Sequence, residues 1–103
     1  MELSGLAQQI WEASEKKRVC SVLLKEEAAV RIVHPHGICQ APTGKVVLVC
    51  YQVDGFSKGG NLPGYRNLPV LDCVKFKILD KHFSKREDFN PEDTQYGEWV
   101  FHI

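Results

Sequence analysis

After Arg18 the hydrophobic period of this chain changes from that of a helix to that of strands, and nothing later restores a helical period long enough for a crossover. No single motif constrains the fold as much. Strands joined by short connections pair antiparallel, because parallel neighbours need a crossover of about a dozen residues or more. Before the change, residues 4 to 18 read as a helix. Leu3, Leu6, Ala7, Ile10, Trp11 and Ala13 fall on one side of it. Ser4 stands where an N-cap belongs, and Lys16, Lys17 and Arg18 occupy the last turn, where cations suit the helix dipole. Trp11, like Trp99, is expected to pack. The apolar stripe needs a surface to cover, and a sheet supplies one.

The strand candidates follow in order. "VCSVLLK" (19–25) is the first, and Glu26 and Glu27 mark a turn. In "AAVRIVHPHGIC" (28–39), Val30 and Ile32 share one face while Arg31 and Val33 share the other. Pro35 cannot donate to a ladder, so it implies an edge, a bulge or a strand end. "KVVLVCYQV" (45–53) is apolar enough for both of its faces to be covered. Residues 54–69 hold four glycines and two prolines and read as a loop. "VLDCVKFKILD" (70–80) alternates, with Val74, Phe76 and Ile78 against Lys75 and Lys77. "NPED" offers Asn90 and Pro91 as a helix start, and "WVFHI" offers a last strand or docking segment. One helix and four or five strands in 103 residues imply a single domain: helix 1–18, barrel 19–83 and C-terminal extension 84–103, helical or irregular. The expected architecture is mainly β, an antiparallel sheet curled into a small barrel to remove its edges.

Composition narrows the function. Thirteen basic and thirteen acidic residues cancel, which argues against general binding to a nucleic-acid backbone. From Glu87 onward there are five acids and no lysine or arginine, so that end repels phosphate. Cys20, Cys39, Cys50 and Cys73 form no C-x-x-C pair, and three of them sit in apolar runs. Reduced thiols and a cytoplasmic location are the expectation. Neither a signal peptide nor a membrane helix is expected, so no membrane partner is either.

The order of several short segments resembles the WYL domain, an Sm-like or SH3-like barrel of bacterial regulators, over roughly residues 7 to 83. "IWEASEKKR" carries Ile10, Ala13, Lys17 and Arg18, and "RIVHPHGIC" carries Arg31, Val33, Pro35, Gly37 and Ile38. Arg66, Leu68 and Phe83 fall at later positions of the pattern. The Trp-Tyr-Leu strand falls on Val46, Val47 and Leu48, where only leucine is kept, and Asp72 and Cys73 replace an arginine and an isoleucine. The resemblance implies a regulatory binding module for nucleic acid or a nucleotide-like ligand. With no room for a separate helix-turn-helix domain, regulation would need a partner or self-association.

Arg31 is the first candidate contact, because a guanidinium among apolar neighbours needs solvent or an acceptor. That acceptor could be an anionic ligand or a carboxylate such as Glu26 or Glu27. Arg66 beside Tyr65, with Tyr51 and Phe56, would form a stacking surface and anion clamp, unless Asp72 anchors Arg66 instead. "SKGGNLPG" lacks the phosphate-loop pattern, so nucleotide hydrolysis is not expected. His34, His36 and Cys39, with His82 or His102 as a fourth ligand, would give a metal site, although partly exposed histidines at a turn are the simpler reading. No placed acid/base pair or dyad is evident, so no catalytic residue or cofactor is assigned. The leading expectation is a noncatalytic module for a nucleotide or short single-stranded nucleic acid, engaged through Arg31, Arg66, Tyr51, Tyr65 and Phe56. The alternatives are a structural or protein-interaction module and a small metal-binding protein. A symmetric homodimer is expected in order to cover leftover apolar surface.

Overall fold

The computed structural model describes residues 5–57 and 60–103. Leu3, the expected cap Ser4, and Lys58 and Gly59 of the glycine-rich stretch lie outside the described residues. Helix α1 (Gly5–Glu15) is followed by β1 (Arg18–Leu24), β2 (Arg31–Gln40), β3 (Val46–Gly55) and β4 (Gly64–Pro69). A 3-10 turn (Val70–Asp72) then leads into β5 (Cys73–His82), and β6 (Glu98–His102) ends the order.

The helix stops sooner than its sequence suggests. Lys17 takes a left-handed φ of 53°, and Arg18 already begins β1. Lys16 pairs back to Glu12 at 2.8 Å. The buried face is narrow: Ile10, Ala13 and Ser14, with the Ser14 hydroxyl donating to the Ile10 carbonyl at 2.8 Å. Trp11, expected on that face, is 45% exposed.

β2 organises the sheet. β3 pairs with it from Arg31 to Gln40. The opposite edge is divided: β1 takes Arg31–Val33 and β6 takes Gly37–Gln40. Pro35 and His36 fall in the gap between them. There the register against β3 slips, with Pro35 opposite Cys50 and Gly37 opposite Val49, so His36 is the extra residue of a bulge. Of the three readings open for Pro35, the bulge is the one realised, in the middle of the sheet.

The strands run in the order β4-β3-β2-β1-β5, with β6 on β2. Among the described residues β4 and β5 are not paired with each other, so the sheet is open. This corrects the expected Sm-like or SH3-like barrel, although the mainly β content and the N-terminal helix stand. Closure is not needed to manage the edges. β4 is short and ends in Pro69, which limits pairing there, and β5 carries Lys75, Lys77 and Lys81, which discourage pairing with another copy of the same edge. β4 itself was hidden in the stretch read as a loop. Flanking prolines disguise it, and an edge strand tolerates Pro69.

Both faces of β3 are covered, as its uninterrupted apolar run suggests. Leu48 and Cys50 join Ile10, Ala13, Val22, Val33, Ile38 and Leu68 under the helix. Val47 and Val49 join Cys39, Phe89 and Tyr96 on the other side, with Trp99 packed against them. The C-terminal segment therefore supplies the second lid of the sheet. It forms turns and then a strand, with no helix among its described residues. Asn90 uses its side-chain oxygen to accept the Glu92 amide at 3.1 Å, closing a turn where a helix start was expected.

Gly37 marks the closest approach of β6. A Cβ there would strike the Phe101 carbonyl oxygen and stand 2.9 Å from both the His102 Cα and the Trp99 ring. Gly37→Ala is expected to lower stability by about 1–3 kcal/mol and to loosen β6. Urea unfolding followed by tryptophan fluorescence checks this, and an unchanged midpoint would show that the strands yield freely.

Candidate functional site

Arg31 opens β2 and lies on its buried side, 6% exposed. Its fork is fully used. Nη2 and Nε donate to the Glu27 carboxylate at 2.6 and 3.0 Å, and Nη1 donates to the Gln52 amide oxygen at 2.9 Å. The Phe56 ring lies 5.5 Å from the guanidinium carbon. Gln52 in turn donates to the Phe56 and Asp54 carbonyls at 2.6 and 3.1 Å. Among the acceptors the sequence offered, Glu27 is the one found. Both side chains of the pair are nearly dry, at 7% and 9% exposure, so the charge is neutralised inside the fold.

Arg66 is held by backbone. Its Nη1 donates to the Tyr65 carbonyl at 2.8 Å and its Nη2 to the Asn61 carbonyl at 3.0 Å. Gly60 and Gly64 let the loop wrap it, since Cβ atoms there would come within 2.7 Å of Nη2 and 2.9 Å of Nη1. Asp72 pairs with Lys25 at 3.4 Å rather than with Arg66. Burial pushes the Cys50 thiol up to about 12, while Arg31 and Arg66 both draw it down. Arg66 stands opposite Cys50 in the β3–β4 register, and Gln52, which holds Arg31, lies two residues further along β3, so both arginines lie on one side of that strand.

Tyr51 and Tyr65 are cross-strand partners, with ring centres 5.1 Å apart. They meet Arg86 and Asp88, which the sequence reading passed over. Arg86 lies 4.0 Å over Tyr51 and grips both Asp88 oxygens at 2.9 and 3.0 Å. The Tyr65 hydroxyl donates to Asp88 at 2.6 Å. Hydrogen bonds from Arg86, then from Tyr65, hold Asp88 at about 2, and burial followed by the Asp88 contact pushes Tyr65 up to about 12. In sequence, "KRED" is only a charged turn; its contacts reach back 35 residues from Arg86 to Tyr51. The five expected ligand residues therefore separate into Arg31 with Phe56, Tyr51 with Tyr65, and Arg66 on β4, where the preceding loop wraps its guanidinium.

His36, in the bulge, is fully buried. The Arg86 amide meets its Nε2 at 3.5 Å, and an amide can only donate. The other nitrogen, Nδ1, then carries the hydrogen and donates to the His34 carbonyl at 2.9 Å. The His34 ring stacks on Phe83 at 4.8 Å, and His36 lies 5.6 Å from the same ring. Cys39 is buried among Phe89, Tyr96 and Trp99, while His102 stands 5.0 Å from Trp99 and His82 is exposed at the end of β5. Among the described residues no three metal-capable side chains gather into a ligand group, so the suggested set is not assembled. All four cysteines are free, and burial pushes Cys20 to about 12, as it does Cys50, which keeps both protonated at neutral pH.

A groove of about 450 Å³ is lined by Gly44, Lys45, Val46 and Pro69 through Asp72. At its side Leu71 is 94% exposed, with Val46 at 40% and Val74, just beyond, at 57%. No helix among the described residues is long and apolar enough to cross a membrane. No protein-family model, curated protein or solved structure matches the chain. The resemblance to the WYL domain fails on the open sheet, which is not the closed barrel of that domain.

Two outcomes follow from this geometry. Arg31→Ala strands the Glu27 carboxylate in a dry site and should cost about 3–5 kcal/mol, whereas replacing both partners with apolar residues recovers most of it. Urea denaturation of the single and double variants checks this. Burial, the first cause, lowers the affinity of His36 and His34 for protons, while the His34 carbonyl partly opposes this at His36. Below the ordinary value of 6.5 the unfolded chain therefore takes up protons that the folded chain refuses. Stability should fall as pH drops through that value, and His36→Gln should flatten the decline.

Proposed function

We propose that this chain is a noncatalytic protein-interaction module that associates with a second copy of itself through the groove beside Leu71. The observation that carries this reading is the exposed Leu71 next to a mainly apolar groove. A projection and a recess on one surface are self-complementary, which a twofold dimer requires. An exposed leucine in so apolar a setting gains from leaving water. Four free thiols suit a reducing compartment such as the cytoplasm.

A nucleotide or short single-stranded nucleic acid at Arg31 and Arg66 has less support. Arg31 would have to surrender Glu27, and Arg66 is already engaged by carbonyls.

Sedimentation equilibrium across a hundredfold range of concentration is the test. A monomer–dimer equilibrium in the parent that Leu71→Asp shifts to monomer by about tenfold or more in dissociation constant is expected. A parent that stays monomeric, or a dimer indifferent to Leu71→Asp, would overturn the proposal.

A further inference from the structure

β5 is an end strand. β1 pairs along one edge from Cys73 to His82, and among the described residues nothing pairs along the other. Phe76 and Ile78 turn inward onto the core, and Lys75 and Lys77 stand exposed between them. The two acids closest to these lysines in sequence are engaged elsewhere: Asp80 by Arg18 at 3.2 Å and Asp72 by Lys25 at 3.4 Å. Lys75, Lys77 and Lys81 make no ion pair among the described residues. Val74 bulges outward where the register against β1 slips, and is 57% exposed.

A second copy does not suit this edge. Antiparallel pairing of β5 with its own twin would bring lysines of the two strands together, which is unfavourable across a ladder. The same charges favour one other occupant. We propose that the free edge of β5 takes an extended polypeptide with acidic residues at alternate positions, added to the sheet as a further strand. Main-chain hydrogen bonds would supply the affinity, while Lys75 and Lys77 would select the charge. Val74 offers an apolar contact at one end of the strand. This edge is distinct from the groove beside Leu71, and the proposal does not rest on self-association.

The test uses the full chain and two synthetic heptapeptides, one alternating glutamate with valine and the other lysine with valine. Amide hydrogen exchange locates any binding. The acidic peptide should bind and protect amides in residues 74–79, and Lys75→Glu with Lys77→Glu should weaken it about tenfold or more. The doubly substituted chain should prefer the lysine peptide. The Leu71→Asp variant should bind the acidic peptide as the parent does. Equal binding of both peptides, protection confined to other strands, indifference to the double substitution, or loss of binding in Leu71→Asp would each overturn the proposal.

Discussion

The fold depends on the interruption of β2 at Pro35 and His36. A strand paired continuously along both edges would leave no place for both β1 and β6 on the same side. The bulge divides that edge, so β1 follows the first part of β2 and β6 the last. A proline suits the division because it brings no amide donor. The bulged His36 then joins the break to the far face, where its ring meets Phe83, Phe89 and the Arg86 amide. One local irregularity thus allows a chain of this size to cover its sheet on both sides. The helix closes one face, and the acidic C-terminal segment closes the other.

The polar groups inside this arrangement favour architecture over exposed chemistry. Glu27, Arg31 and Gln52 form a connected set that reaches the backbone after β3, tying the turn before β2 to the start of the glycine-rich stretch. Among the described residues no buried side-chain nitrogen or oxygen lacks a partner. A satisfied set of this kind gives definition to the fold, and dissolving half of it is costly. Arg86 and Asp88 do for the second face what Arg31 and Glu27 do for the first, with the difference that theirs is a wetter site. The contacts proposed with other molecules therefore lie at the margins, in the apolar groove beside Leu71 and along the lysine-bearing edge of β5.

Much of this was legible in the residues. The switch in period at Arg18 announced one helix and then strands; β1, β2, β3 and β5 lie close to the strand candidates, and β6 realises the strand option left open for "WVFHI". The bulge was among the options Pro35 allowed. Glu26 and Glu27 could both be named as acceptors for Arg31, and the fold uses Glu27. Other features depend on contacts that no local pattern carries. β4 is recognisable only through its pairing with β3, and the Tyr51–Arg86–Asp88–Tyr65 contacts join segments far apart in the chain. The barrel failed because sheet closure was inferred from the need to protect edges, and lysines with a proline meet that need more cheaply. Trp11 misled because helical spacing fixes a face only to within its breadth.

The central claim is that His36 is a neutral ring locked at the break in β2, with hydrogen on Nδ1 and Nε2 accepting from Arg86. Long-range nitrogen–proton correlation spectra of the imidazole at neutral pH test it directly. The expected result is a single Nδ1–H tautomer with cross-relaxation to Phe83 and Phe89. A ring with hydrogen on Nε2, or one carrying both protons at neutral pH, would mean that the C-terminal segment is not held in this way.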